Sequence, residues 1–356
     1  MNDEQSREPQ NRDPQTDPAG GPSRLGRSTR GVAVVTGASA GVGRATARAF
    51  ARAGHDVAVL ARGRDGLEGA RREIEAEGRR ALAIVVDVAD AAQVDNAAAR
   101  IEEELGAIEV WVNNAMVTVM SRLWDLEPEE LRRVTEVNYL GTVYGTLAAL
   151  RHMRQRNRGA IVQVGSALAY RAIPLQGAYC ASKFAVRGFT DSLRTELLHE
   201  EIDVHLTMVQ MPALNTPQFG WSRVKGFERH PQPVPPIFQP EVAAEAIVFA
   251  AGARRREVWV GGQASVIMAG NKVAPGLGDL YLAKTGFDSQ FTDERIDPDR
   301  PDNLFDPLPG DRGAHGKFDD RAQDSSLELE LSKHKGWVLA GAAALVLLAL
   351  AGAARD

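Results

Sequence analysis

The sequence predicts an α/β domain, a doubly wound parallel sheet of about seven strands with helices on both faces, and three observations lead there. From Gly31 onward, short apolar runs read as strands alternate with longer segments of helical periodicity, the alternation that parallel sheets with crossover helices produce. A glycine-rich turn follows the first strand-like run and opens a helical segment, so backbone N–H groups gather at the carboxyl end of that strand. The chain has 356 residues, 44% hydrophobic and 25% charged, which suffices to close a sizeable core.

Strands are expected at 32–36, 56–61, 81–86, 110–113, 160–164, 204–209 and 257–260, and helices at 43–53, 65–77, 90–105, 128–157, 177–200 and 241–251. Ligands of such sheets bind beyond the carboxyl ends of the strands, so the residues just after each strand are where chemistry belongs. Residues 1–30 hold Pro, Gly, Gln, Asp and Arg without an apolar run; they are expected as a disordered tail without a signal-peptide core. The rhythm breaks at 211–240, where Pro212, Pro217, Pro231, Pro233, Pro235, Pro236 and Pro240 stand among Phe219, Trp221, Phe227 and Phe238. So apolar a loop reads as a lid over a site, the alternative being an insertion packed on the surface. Residues 265–284 read as helical with an interruption around Pro275, closing a catalytic domain at 31–287.

The remaining chain divides into an acidic, Pro-rich linker at 288–332, expected without structure, and a terminal segment at 333–356. Between Asp288 and Leu331, 13 acidic residues stand against 5 basic ones, whereas the whole chain carries a net charge of −5; the rest of the molecule is therefore mildly basic. That balance argues against a nucleic-acid partner. Cys180 is the sole cysteine and the seven histidines show no metal-ligand spacing, which excludes an intramolecular disulfide framework and points to no metal. Residues 337–354 carry no charge and are flanked by Lys333, Lys335 and Arg355. As a helix they would extend roughly 27 Å, near the hydrocarbon thickness of a bilayer. They are expected as a C-terminal membrane anchor with the catalytic domain in the cytoplasm, the alternative being a core or oligomer helix.

The glycine turn reads Thr36-Gly37-Ala38-Ser39-Ala40-Gly41-Val42-Gly43, followed by Arg44 in a helical segment. Glycines allow a tight turn and close approach of the backbone to a pyrophosphate, and the helix start adds its positive dipole end. The spacing differs from the commoner G-x-G-x-x-G. At the end of the second strand, where a dehydrogenase that prefers NAD places an acid, the residues are Ala61 and Arg62. Arg62 and Arg44 are therefore candidates to hold the 2′-phosphate of NADP(H), with NAD(H) the lesser alternative.

After the fifth strand comes Ser166, then Tyr179 in Tyr-Cys-Ala-Ser-Lys, with Lys183 at i+4. On a helix those two side chains share a face, and an ammonium near a phenol favours the phenolate. Ser166 can donate a hydrogen bond to an oxygen on which negative charge develops. Together with the turn, these residues resemble the short-chain dehydrogenase/reductase family over about residues 31–265. The resemblance implies a Rossmann-like fold, with Tyr179 as general acid/base, Lys183 on the nicotinamide ribose and Ser166 on the substrate oxygen. It further implies that Asn138 holds a proton-relay water. It casts Asp87 and Val88 as the adenine-contacting pair, and Asn113-Asn114-Ala115 as the turn lining the cofactor, with Met116 where the family has glycine. Gly37, Ser39, Ala40, Gly41, Val42, Gly43, Pro212 and Thr216 complete the implied cofactor site, with Ala213 where glycine is common.

The expected activity is hydride transfer between NADP(H) and a carbonyl or alcohol, with a hydrophobic small molecule suggested by the lid and the anchor. A homodimer or homotetramer is the assembly such relatives often form. The alternative is a membrane-tethered NADP(H) sensor or scaffold without turnover, against which the intact Ser, Tyr and Lys set weighs.

Overall fold

The computed structural model describes residues 30–262, 270–297 and 299–334. Seven strands, β1 (Val32–Thr36), β2 (Asp56–Ala61), β3 (Ala81–Val85), β4 (Ile108–Asn113), β5 (Gly159–Val164), β6 (Val204–Gln210) and β7 (Glu257–Trp259), form one sheet. Their order is β7-β6-β5-β4-β1-β2-β3, and every pair is parallel. The order reverses at β1 and β4, so the crevice that such sheets use for ligands opens beyond Thr36 and Asn113.

The connecting helices are α1 (Gly41–Arg52), α2 (Arg64–Ala76), α3 (Ala91–Glu104), α4 (Pro128–Thr135), α5 (Gly141–Arg156), α6 (Gly177–His199) and α7 (Pro240–Gly252). Successive residues of a strand face opposite sides, and the core divides accordingly. Val32, Val34, Ala58 and Leu60 pack towards α3, α5 and α6, while Ala33, Val35, Val57 and Val59 pack towards α1, α2 and α7. Local signals set the helix bounds. Asp90 accepts hydrogen bonds from the N–H groups of Ala92 and Gln93 at the start of α3, and α4 opens with Pro128 inside a Glu127–Glu130 capping box. The segment expected as one helix, 128–157, is interrupted by a π-helical turn at Glu136–Leu140. Such turns insert a residue and gather at functional sites; here the turn carries Asn138.

The acidic segment expected as an unstructured linker is a correction. After the helix α8 (Pro275–Thr285), which follows a break at Ala274, residues Phe291–Arg295 pair antiparallel with Arg229–Pro231. Ala322–Gln323 joins Ile237–Phe238 and Ala213–Leu214 in a small parallel sheet, and α9 (Leu327–Lys333) packs beside β7. The reason is complementarity with the basic body. Asp302 pairs with Arg223 at 2.7 Å, Asp288 with Arg229 at 3.0 Å and Asp311 with Arg44 at 3.1 Å, while Leu304, Phe318 and Leu329 are buried. The loop 211–240 is tied down on both sides, because Arg223–Val224 also pairs with Val119–Met120.

His315 reports on this docking. Burial lowers its pKa, but hydrogen bonds to Asp319 and Glu241 outweigh that and raise it. Glu241 also receives Arg48, and Asp319 receives Asn215 and Gln239. A raised folded pKa means the contribution is complete below the unfolded value of about 6.5 and is lost as pH rises through the folded value. Hydrogen exchange at 313–323 is therefore expected to quicken relative to the sheet as pH rises through that window. His315→Gln should remove the pH dependence, and an unchanged dependence would show that another group governs it.

Residues 1–29 of the expected tail at 1–30, and the expected anchor at 337–354, lie outside the described residues. Among the described residues no helix is long and apolar enough to cross a membrane.

Candidate functional site

The glycine turn is shaped by Asn114 and Thr36. The Asn114 side chain donates to the Thr36 carbonyl at 2.8 Å, and the Thr36 hydroxyl accepts from the N–H groups of Asn114 and Ala115 at 2.9 and 3.1 Å. Gly37 has φ +67, and a Cβ there would stand 2.7 Å from the Ala115 Cα. A Cβ on Gly43 would stand 2.3 Å from the Gly37 carbonyl oxygen, so α1 seats on the turn only without a side chain there. Gly43 thus acts through packing and does not line the slot beside the turn. Met116 has no positive φ, so the glycine that it replaces is not needed for the backbone path. Asn113 lies below, bonded to Trp111, Thr146 and Gln163 in a buried network that fixes the end of β4.

A slot runs from this turn across the ends of β2 and β3. Gly37, Ser39, Ala40, Gly41 and Val42 form one side; Arg62, Asp87, Val88, Asn114 and Ala115 form its floor and far end. Asp87 is held by Arg133 at 2.6 Å and accepts from the Ala89 N–H at 3.0 Å. Arg44 is the principal correction among the expected ligands. It is 2% exposed, and its guanidinium is taken by Glu73, Asp311 and the carbonyls of Gly66 and Ser39. It fixes the back of the turn instead of facing the slot. Gly41 departs from the expected free helix start too, since its N–H donates to the Gly313 carbonyl at 3.0 Å.

Val42, Asn114, Met116, Thr216 and Gln218 line both this slot and a larger cavity of about 420 Å³. The cavity holds Ser166, Tyr179, Lys183 and Pro212, and its walls are mainly apolar: Met116, Met120, Met211, Phe219, Val234 and Phe238. Residues of the loop 211–240 line much of this cavity. Ser166 follows β5, and its hydroxyl accepts from the Leu168 N–H at 3.1 Å. Burial pushes the Tyr179 phenol up to about 12, with a hydrogen bond from Ser166 pulling the other way. That corrects the expected lowering by Lys183. The ammonium lies over the face of the tyrosine ring, 5.5 Å from its centroid, and donates to the Val164 carbonyl at 2.7 Å, while burial lowers the lysine itself to about 8.

Asn138 lies in the π-helical turn and is buried. Its amide oxygen accepts from the Val117 N–H at 2.8 Å, and its amide nitrogen donates to the Val117 carbonyl at 2.9 Å and to Ser182 at 3.2 Å. Both amide N–H groups are bonded within the protein, so the side chain clamps the strand wall behind Met116.

Sequence reasoning missed the contribution of the C-terminal segment. Asn303, Pro307, Leu308, Gly310 and Arg312 line the slot, and Tyr281, Leu282 and Thr285 of α8 line the cavity. The available signal was the acidic excess against a basic body, punctuated by Leu304, Phe318 and Leu329.

The short chain dehydrogenase family model matches residues 31–220. The protein described as Uncharacterized oxidoreductase YxnA, from Bacillus subtilis (strain 168), is 33% identical over 289 residues, 80% of this chain and 81% of that one. Among solved structures, an alcohol dehydrogenase from the archaeon Thermococcus sibiricus complexed with 5-hydroxy-NADP is similar at 30% identity and a TM-score of 0.56, over 64% of this chain and 95% of that one. A metagenomic short-chain oxidoreductase in complex with NADP is similar at 26% identity and a TM-score of 0.54, over 67% of this chain and 97% of that one.

Proposed function

Because this chain belongs to the short-chain dehydrogenase family, we propose that it is an NADP(H)-dependent oxidoreductase that interconverts a hydrophobic carbonyl compound and its alcohol. The observation that carries the proposal is the joint opening of Ser166, Tyr179 and Lys183 into an apolar cavity that shares a neck with the glycine-turn slot. The slot fits a dinucleotide phosphate: the turn beside it closes only because Gly37 and Gly43 lack a Cβ, no carboxylate stands at the end of β2, and Arg62 does. The solved relatives that carry NADP or its 5-hydroxy derivative support the same cofactor.

Bound there, NADPH supplies a hydride to the carbonyl carbon. Tyr179 gives its proton to the carbonyl oxygen, a role suited to a phenol that burial keeps protonated at neutral pH. Ser166 donates to the same oxygen as charge develops on it. Lys183, anchored by the Val164 carbonyl, holds positive charge beside the ring and orients the cofactor's ribose. Asn138 positions the Met116–Thr118 wall through Val117, and Thr216 and Gln218 close the neck.

The cavity walls set the substrate class. With the full chain and NADPH, kcat/KM is expected to rise along a series of ketones and aldehydes of increasing lipophilicity, by about a factor of four per buried methylene. Turnover confined to small polar carbonyls would overturn the substrate assignment, and tight NADPH binding without turnover of any carbonyl would overturn the enzymatic one.

A further inference from the structure

One wall of the slot comes from residues beyond the family match, which ends at 220. Arg62 donates to the carbonyls of Asn303 at 2.5 Å, Phe305 at 2.6 Å and Leu304 at 3.3 Å. Asp311 is fastened to Arg44, the Gly310 N–H donates to Asp65 at 2.7 Å, and the Gly313 carbonyl receives the Gly41 N–H. Residues 303–313 are thus held to β2, α2 and the start of α1 along the length of the slot.

Within that strap, Arg312 lines the slot and is exposed. The hydrogen bond from its guanidinium is a long one, 3.4 Å to the Pro309 carbonyl, and it has no ion pair among the described residues. The acids beside it are committed: Asp311 to Arg44, and Asp65 to the strap backbone. The other cations have less to offer an anion. Arg44 is sealed behind the turn, and Arg62 spends three of its five N–H donors on strap carbonyls. Of the two arginines that line the slot, Arg312 is therefore the one whose guanidinium is left for a phosphate near the end of β2.

We propose that Arg312, carried by the C-terminal extension, is a specificity-determining residue for the nucleotide, recognising the 2′-phosphate of NADP(H), and that residues 303–313 form the outer wall of that subsite. This rests on the cofactor reading above and adds to it a residue from outside the family's shared domain. A charge-assisted, bidentate contact of this kind favours the phosphorylated ribose over the hydroxyl.

The test is equilibrium binding of NADPH, NADH and adenosine 2′,5′-bisphosphate to the full chain, followed by protein fluorescence. Arg312→Ala is expected to weaken NADPH and adenosine 2′,5′-bisphosphate by about tenfold and to leave NADH nearly unchanged. Arg312→Lys should recover part of the loss. The site is exposed, so the melting temperature should stay at the wild-type value and certify the fold. If wild type prefers NADPH and Arg312→Ala keeps the same preference, the role of Arg312 is refuted while the cofactor reading stands. Equal weakening of NADPH and NADH would equally refute it, leaving only a wall. A wild-type chain indifferent to the 2′-phosphate would overturn both.

Discussion

Replacing Tyr179 by Phe is expected to lower kcat for carbonyl reduction by about a thousandfold while the affinity for NADPH changes little. The hydroxyl is the only group removed, and its ring stays against the Lys183 ammonium and the cavity wall. Lost proton donation therefore appears in kcat, whereas the glycine turn and Arg62, which line the adjoining slot, are untouched. Single-turnover measurement with NADPH and a lipophilic ketone separates the two. A variant that kept most of its rate would mean that the oxygen takes its proton from elsewhere, with Ser166 the nearest alternative because its hydroxyl bonds the phenol. The burial that raises Tyr179 also keeps its phenolate scarce at neutral pH, so reduction is expected to proceed near neutrality, whereas alcohol oxidation, which needs the phenolate, is expected to quicken as pH rises.

The second large effect is on stability. Arg44→Ala is expected to cost about 2–4 kcal/mol, measured as a fall in the denaturant midpoint at constant slope. The guanidinium is buried, and its loss strands Glu73, Asp311 and two carbonyls at once. The figure is held at the lower part of the range for buried pairs because Glu73 and Asp311 are each about a third exposed and regain water. The change also removes the Asp311 fastening of residues 303–313 to the turn, so NADPH affinity should fall with stability. Arg48→Ala, which removes a partly exposed partner of Glu73 and Glu241, should cost far less. Equal effects would show that Arg44 has no special place at the junction.

The core of the fold was legible because each strand is short, apolar and followed by a helix; β1 and β2 match their expected bounds. The site was legible as far as spacing dictates geometry: Tyr179 and Lys183 share a helix face because four residues make about one turn. What spacing could not give was the partner of each polar atom. Asn138 sits where expected along the chain, yet the π turn aims its amide at Val117. Arg44 lies one residue beyond the turn, and only the packing of α1 on α2 decides that it faces Glu73 rather than the slot. The C-terminal segment was misread for a different reason. Its Pro, Asp and Gly content lacks any period, and its structure is induced by long-range pairing with Arg44, Arg62, Arg223 and Arg229, which no local window contains.

The docking of that segment redraws where the catalytic unit ends. A chain cut after residue 287, at the border that sequence periodicity suggests, would lose Leu304, Phe318 and Leu329 from the packed interior and the charge partners of Arg223 and Arg44. It would also open the slot along one side and remove the Ala322–Gln323 strand from the small sheet beside Ile237–Phe238. Truncation for expression, or a bulky fusion placed near that border, is thus a perturbation of the active unit itself, and recombinant work on this chain should keep residues up to 334.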